Sequence, residues 1–321
     1  MNGDLFIKFL VASIAFGTPI LFGIVGEIMN ERVGHLNLGV EGIMSVGALF
    51  GFMAAYYSNN FLLAVFGALL GGILVSLIYA VLTITFMANQ NVVGLTLTIF
   101  GIGVANFLGQ VARSNTPDGV LVLSKDFLPK MDINLGFLEN IPVVGPLLFS
   151  HNALVYIAVA AAILMSLYLK KTKTGLAVCA IGENPAAADA AGIKVSKLKY
   201  INILLGGGIC GLGGFWCGVI TTGGIWIENC VNGIGWIAVA LVVLAKWRPA
   251  HAIWGAYVFG AFRVIRNYVP TIIFGIKITQ GFYDMLPFLI TAIVLVIDSM
   301  RKKKSNSIPA ALGTNYFREE R

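Results

Sequence analysis

Apolar stretches of about 20 residues with few or no charges recur along the whole chain, and this one feature removes most folds from consideration. A helix needs about 20 such residues to cross a hydrocarbon core of about 30 Å. Inside that core every backbone N–H and C=O must be satisfied, which leaves helices or a closed barrel. Runs of this length without polar–apolar alternation specify helices. Composition agrees: 58% of the 321 residues are hydrophobic and only 12% are charged, whereas soluble domains run near 25% charged. The expected fold is all-α, a polytopic transmembrane helical bundle of about 8–10 spans, some of them discontinuous or re-entrant.

The stretches and their interruptions set the organisation. The first runs from Leu5 to Met29 and is expected to break near Gly17-Thr18-Pro19, where a proline frees a backbone carbonyl. Lacking basic residues before it and longer than a signal-peptide core, it reads as a retained first helix. Others cover Phe61–Met87, Val92–Val111 after a polar turn at Asn89–Asn91, Asn152–Leu169 and Tyr200–Thr221. Trp236 to Trp247 is short for a span, about 18 Å at 1.5 Å per residue, and follows glycines, the pattern of a discontinuous element lining a pathway. His251–Asn267 and Met285–Met300 complete the series. The net charge of +7 comes from basic residues at segment ends and in Arg301–Lys304, which marks cytoplasmic edges and not a nucleic-acid partner. The 170–199 loop and the C-terminus are therefore expected on the cytoplasmic side. The 113–150 loop, with three basic and four acidic residues, is expected outside. Residues 1–304 form the membrane domain, and 305–321 a polar, poorly ordered tail.

Several function classes drop out. The four cysteines lie apart, and His35, His151 and His251 are scattered, so neither a disulfide framework nor a metal centre is indicated. Gly206-x-Gly208-x-x-Gly211 matches a dinucleotide fingerprint, but no strand precedes it and its segment is apolar. Tight helix packing explains Gly206, Cys210, Gly214 and Gly218, which recur every four residues. No G-x-x-x-x-G-K-[ST] occurs, so this chain does not bind ATP through that motif. A membrane enzyme would need a nucleophile–base pair, and none is evident.

The 170–199 stretch carries six lysines against two acids, and in its middle a short helix has both ends specified. Asn184 suits the N-cap, Pro185 the first helical position and Gly192 the left-handed stop, around Ala186 to Ala191 with one acid, Asp189. Such a near-bare helix is either a surface for another protein or an ordered connector that touches nothing.

Three blocks together resemble one family, the inner-membrane permease subunits of ABC importers for nucleosides and simple sugars, related to branched-chain amino acid permeases. The densest is Glu31-Arg32-Val33-Gly34-His35-Leu36-Asn37-Leu38-Gly39-Val40-Glu41-Gly42-Ile43-Met44, similar to the family's E-R-x-G-x-x-N-x-G-x-E-G-x-M signature. Gly182-Glu183-Asn184-Pro185 through Ala191-Gly192-Ile193 resembles the family's coupling loop, with Asp189 where arginine is frequent. Gly235 to Leu241, then Trp247-x-Pro249 and Gly255-Ala256, resembles a third block. His35 stands where an apolar residue is common. The likeness is greatest to purine-nucleoside permeases.

The resemblance implies a bacterial cytoplasmic (inner) membrane protein that transports and does not catalyse. It implies a cytoplasmic ABC ATPase partner holding ATP and Mg, a second, longer permease and an extracytoplasmic substrate-binding lipoprotein. No cofactor belongs to this chain itself. Gly182, Glu183, Asn184, Pro185, Ala187, Ala188, Asp189 and Gly192 would contact the ATPase. Asn37, Glu41, Thr96 and Asn106 are pathway candidates that exchange for a nucleoside's water, with Phe100, Trp226 or Trp236 to stack on the base. Asn37 is equally a cap, Glu41 a helix-end carboxylate bonded to backbone amides or Arg32, and the tryptophans interface anchors. The cargo is a nucleoside or a simple sugar. An ion-coupled transporter would need an intramembrane carboxylate relay, for which Glu41 is the only good candidate within the apolar runs.

Overall fold

The structure, a computed structural model, describes residues 3–133, 141–268 and 308–317, with scattered positions between 272 and 300. Its helices are α1 (Gly3–Arg32), α2 (Val40–Ser58), α3 (Phe61–Ala80), α4 (Gln90–Ser114), α5 (Val144–Leu148), α6 (Ala153–Lys171), α7 (Lys173–Glu183), α8 (Pro185–Ala190), α9 (Val195–Trp216), α10 (Ile234–Leu244) and α11 (Pro249–Val264). A π turn extends α3 over Val81–Thr85, and another extends α9 over Cys217–Thr221. Ile272–Ile273 pairs antiparallel with Ile276–Lys277. Among the described residues, six helical segments are long and apolar enough to cross a membrane, and α10 is a shorter apolar helix. The expected last span, Met285–Met300, lies largely outside the described residues.

Close backbone approach explains why α9 occupies the middle. It packs against α1, α2 and α3, and its span is 83% buried. A side chain at Gly211 would overlap the Ala68 carbonyl of α3, and one at Gly214 the Met44 carbonyl of α2. Where lipid tails are as apolar as leucine, helices gain by such contact and not by burying bulk. Gly206, Gly208 and Gly211 thus lie inside a helix, and no phosphate loop exists there.

The structure departs from the expected elements in three places. α1 does not break at Pro19: it continues to Arg32 with Pro19 inside. The Thr18 hydroxyl donates to the Ile14 carbonyl at 2.8 Å, and Ile20, Leu21, Phe22, Ile24 and Val25 are fully buried beyond it. One missing hydrogen bond is small against that packing. The polar turn at Asn89–Asn91 is a helix start: Asn89 caps α4 through Asn91 N (3.0 Å) and Val92 N (3.2 Å). The 170–199 stretch is not a loop with one short helix, because α7 precedes α8, capped by the Thr172 hydroxyl on Gly175 N at 2.9 Å.

Candidate functional site

Between α1 and α2 the chain turns back into the bundle as irregular backbone. Leu36 N donates to the Gln90 side chain at 2.9 Å, in the first turn of α4. A Cβ at Gly94 would touch Leu38, and one at Gly42 the Thr98 Cα. The connection therefore climbs α4 over eight residues, about 12 Å at 1.5 Å per residue, before α2 is under way. Backbone of this kind is tolerated at such depth only when protein satisfies it. Here the Thr98 hydroxyl donates to Leu38 O (2.9 Å), Tyr79 OH to Leu36 O (2.8 Å), and the Glu27 carboxylate accepts from Asn37 N (2.9 Å).

The same signature block holds the short helix α10 at both of its ends. At the start, the Glu41 carboxylate accepts from Gly233 N and Gly235 N, each at 2.7 Å. A carboxylate across a helix N-terminus satisfies orphan amides and opposes the positive end of the dipole. At the finish, Trp247 Nε1 donates to the Glu31 carboxylate, and Arg32 Nε donates to the Trp247 carbonyl at 2.8 Å. Lys246 and Trp247 both have left-handed backbone, φ 54° and 53°, a conformation that costs non-glycine residues energy and persists only where surroundings impose it. Glu31, Arg32 and Glu41 thus fix the position of an eleven-residue helix in the bundle.

Around this clamp the predicted pathway residues divide. Asn37 is fully buried, its Oδ1 accepting from Gly39 N at 2.8 Å in an Asx turn, so it neither caps α2 nor faces open space. Trp226 is 3% exposed, its ring 5.3 Å from Phe52 and pressed on Gly109. The indole is enclosed by packing. Glu41, 5% exposed, faces the α10 amides and not Arg32. Thr96, Phe100 and Trp236 remain exposed. Asn106 exchanges hydrogen bonds with Asn229, giving from Nδ2 to Oδ1 at 2.9 Å and accepting from Asn229 N at 3.2 Å. Beside it Arg113 meets Glu228 at 3.8 Å. The outer face of α4, through Leu95, Thr96, Ile99, Phe100 and Phe107, has no covering element among the described residues.

At the opposite, basic end stands α8. Asn184 Oδ1 accepts from Ala187 N at 3.0 Å, and Pro185 occupies the first position. At its far end Ile193 N donates to Ala188 O (3.1 Å) and Gly192 N to Asp189 O (2.9 Å), with Gly192 at φ 83°. Those paired bonds form a Schellman motif, so both ends of the helix are closed. Ala188 is buried and anchors it, whereas Glu183, Asn184, Ala187, Ala190 and Gly192 face out. Gly182 is buried against the Arg32 carbonyl, where a side chain would not fit. Residues 308–317, expected as a poorly ordered tail, are seated against this platform and donate to the Gly182 carbonyl.

Sequence reading missed a buried polar group between α1, α3 and α9. Glu27 lies within the first apolar run and is fully buried, accepting from Asn30 Nδ2 at 2.7 Å. Lys199 is 5% exposed and His35 1%. Burial, with Lys199 nearby, pushes the His35 imidazole well below its ordinary range and holds it neutral. Glu27 and Glu31 stand one turn apart on α1. Glu41 is therefore not the sole carboxylate within the apolar runs, and the four-residue spacing of Glu27 and Glu31 was the available signal.

Comparison with known proteins places these features in a family. The profile described as "Branched-chain amino acid transport system / permease component" matches residues 9–295. The nucleoside ABC transporter permease protein NupC of Lactococcus lactis subsp. cremoris is 31% identical over 98% of this chain and 98% of its own. The guanosine ABC transporter permease protein NupQ of Bacillus subtilis is 29% identical, covering 94% and 96%. TsgC13 of Haloferax volcanii, provisionally named a glucose ABC transporter permease protein, is 35% identical over 78% of this chain and 74% of its own.

Proposed function

The chain belongs to the branched-chain amino acid transport system / permease component family, and from that premise we propose that it forms, with a second permease, the membrane pathway of an ATP-driven nucleoside importer. It is an ABC transporter permease, a multi-pass membrane protein and a transport subunit, not a catalytic enzyme. The observation that carries the nucleoside reading is the likeness to NupC along nearly the whole of both chains. Purine nucleosides are the proposed cargo, in keeping with the likeness to NupQ.

In this reading the basic end is cytoplasmic, and a separate ATPase, which holds ATP and Mg, closes around α8. A helix capped at both ends moves as one body, so displacement of α8 reaches α7 and α9 without fraying. At the other end a binding lipoprotein delivers the nucleoside. The uncovered face of α4 meets the second permease, and Thr96, Phe100, Asn106 and Trp236 line the route between them. A nucleoside is uncharged but rich in hydroxyls and base-edge groups. Neutral polar side chains replace its water, and an aromatic ring stacks on its base. Asn37, Glu41 and Trp226 build the wall and do not touch the solute.

A sugar cargo is the second reading, favoured by the likeness to TsgC13. The test is uptake into proteoliposomes holding both permeases and the ATPase, supplied with the binding protein. Vanadate-sensitive guanosine or adenosine uptake, uncompeted by excess glucose, is the expected result. Glucose uptake without nucleoside uptake would reassign the cargo, and ion-gradient-driven uptake without the ATPase would overturn the ABC reading.

A further inference from the structure

Residues 308–317 cross the basic end and touch four separate elements. Ala311 N donates to Gly182 O at 2.9 Å, where α7 gives way to α8. Gly313 N donates to Gly34 O at 3.2 Å, on the re-entrant connection. Asn315 Nδ2 donates to Met87 O (2.5 Å) and Ala88 O (3.3 Å), just before α4, and Gln90 Nε2 donates back to Thr314 O (3.3 Å) and Asn315 Oδ1 (3.2 Å). Tyr316 OH donates to Asp189 Oδ2 at 2.9 Å, on α8 itself. Pro309 is buried and packs on Gly182.

This pattern is unlike a solvated tail, whose backbone would be left to water. We propose that the segment is a strap that joins α8 to the re-entrant connection and to the foot of α4, making these elements one coupling unit. The inference rests on the reading of α8 as the ATPase contact and adds the route by which its motion travels. Gln90 is the shared post: its side chain accepts from Leu36 N on the connection while donating to the strap. From Leu36 the chain runs on to Glu41, which holds the start of α10. Asp189 faces this strap through Tyr316, so its acidity serves an internal contact within the unit. A cavity of about 490 Å³ lies beside that contact, lined by Met87, Asp189, Lys194, Lys197 and Tyr316, and leaves the junction within reach of a docked partner.

The experiment uses the assembled transporter, with both permeases, ATPase and binding protein, and reads solute imported per ATP hydrolysed. Three changes are compared: Tyr316→Phe, a chain ending at Ser307, and Asn184→Ala with Gly192→Ala in α8. Tyr316→Phe removes one hydroxyl and keeps the ring, so co-purification of the complex reports intact assembly. Loss of one charge-assisted hydrogen bond corresponds to about a tenfold effect, and about a tenfold fall in the ratio is expected for Tyr316→Phe. Asp189→Asn combined with Tyr316→Phe adds less than the sum of the two, as for partners in one interaction. If the α8 variant uncouples while Tyr316→Phe and the shortened chain transport at the wild-type ratio, the strap is overturned and the α8 reading stands. If none of the three changes the ratio, both fall.

Discussion

Replacing Glu41 tests whether a carboxylate in the signature block acts on the solute or on helix α10. Its two oxygens each accept a backbone amide at 2.7 Å, from Gly233 and Gly235. Glu41→Ala leaves both donors without that partner. Gly235 is buried and bears the full cost of an unmade bond, about 1–3 kcal/mol, whereas half-buried Gly233 is partly answered by water. Loss of the charge at the helix N-terminus adds about 0.3–1 kcal/mol. The sum is about 2–4 kcal/mol, a displacement of α10 worth about one and a half to three powers of ten. Glu41→Gln keeps one acceptor and loses about half of this, so uptake should fall about tenfold for Gln and about a hundredfold for Ala. Hydrogen exchange separates the two roles. Amides of residues 234–238 should exchange faster in both variants, Ala more than Gln. Uptake that falls while those amides keep wild-type protection would refute the clamp and return Glu41 to the solute. Wild-type uptake and protection together would leave it without either role.

Other perturbations probe the remaining parts. Gly211→Leu forces a side chain into the Ala68 carbonyl of α3, with no flexible atom to yield, and should abolish assembly as read by membrane yield and thermal aggregation. Gly192→Ala places a Cβ at φ 83°, at a cost of about 1–2 kcal/mol, and should lower the protection of α8 amides without lowering membrane yield. His35 is held neutral by burial and Lys199, and this depressed folded-state value sets the sign. Stability is fully present above the unfolded value of about 6.5 and is lost as pH falls towards the folded one, at up to about 1.4 kcal/mol per pH unit. A thermal-stability profile from pH 8 to 5 should therefore decline on its acid side, and His35→Phe should flatten that decline.

What the sequence showed and what it hid follow from the range of the interactions. The caps of α8 are local: Asn184, Pro185 and Gly192 act within four residues of themselves, so their types sufficed. The bare face of α9 was readable for the same reason, and the short apolar run before Lys246-Trp247-Arg248-Pro249 revealed α10. Partners remote in sequence were not legible. Glu41 stood out as a costly carboxylate, but nothing local names amides 192 residues away. Trp247 as the partner of Glu31 was equally hidden, 216 positions away along the chain. α7 was masked because lysines and glycines surround its modest apolar content. Residues 308–317 looked unstructured because their order comes from the Gly34, Gly182 and Gln90 surfaces and not from any periodicity of their own. Helical packing likewise overrode the local warning of Pro19.

Coupling of transport to ATP hydrolysis depends most on α8 being the surface an ATPase moves. A single cysteine at Ala187, on its outward face, joined by a short bifunctional reagent in the assembled transporter, measures this directly. The expected result is a cross-link to the ATPase subunit whose yield changes between nucleotide-free and vanadate-trapped states. No cross-link in either state, or labelling of residue 187 by a membrane-impermeant reagent added outside intact cells, would contradict it.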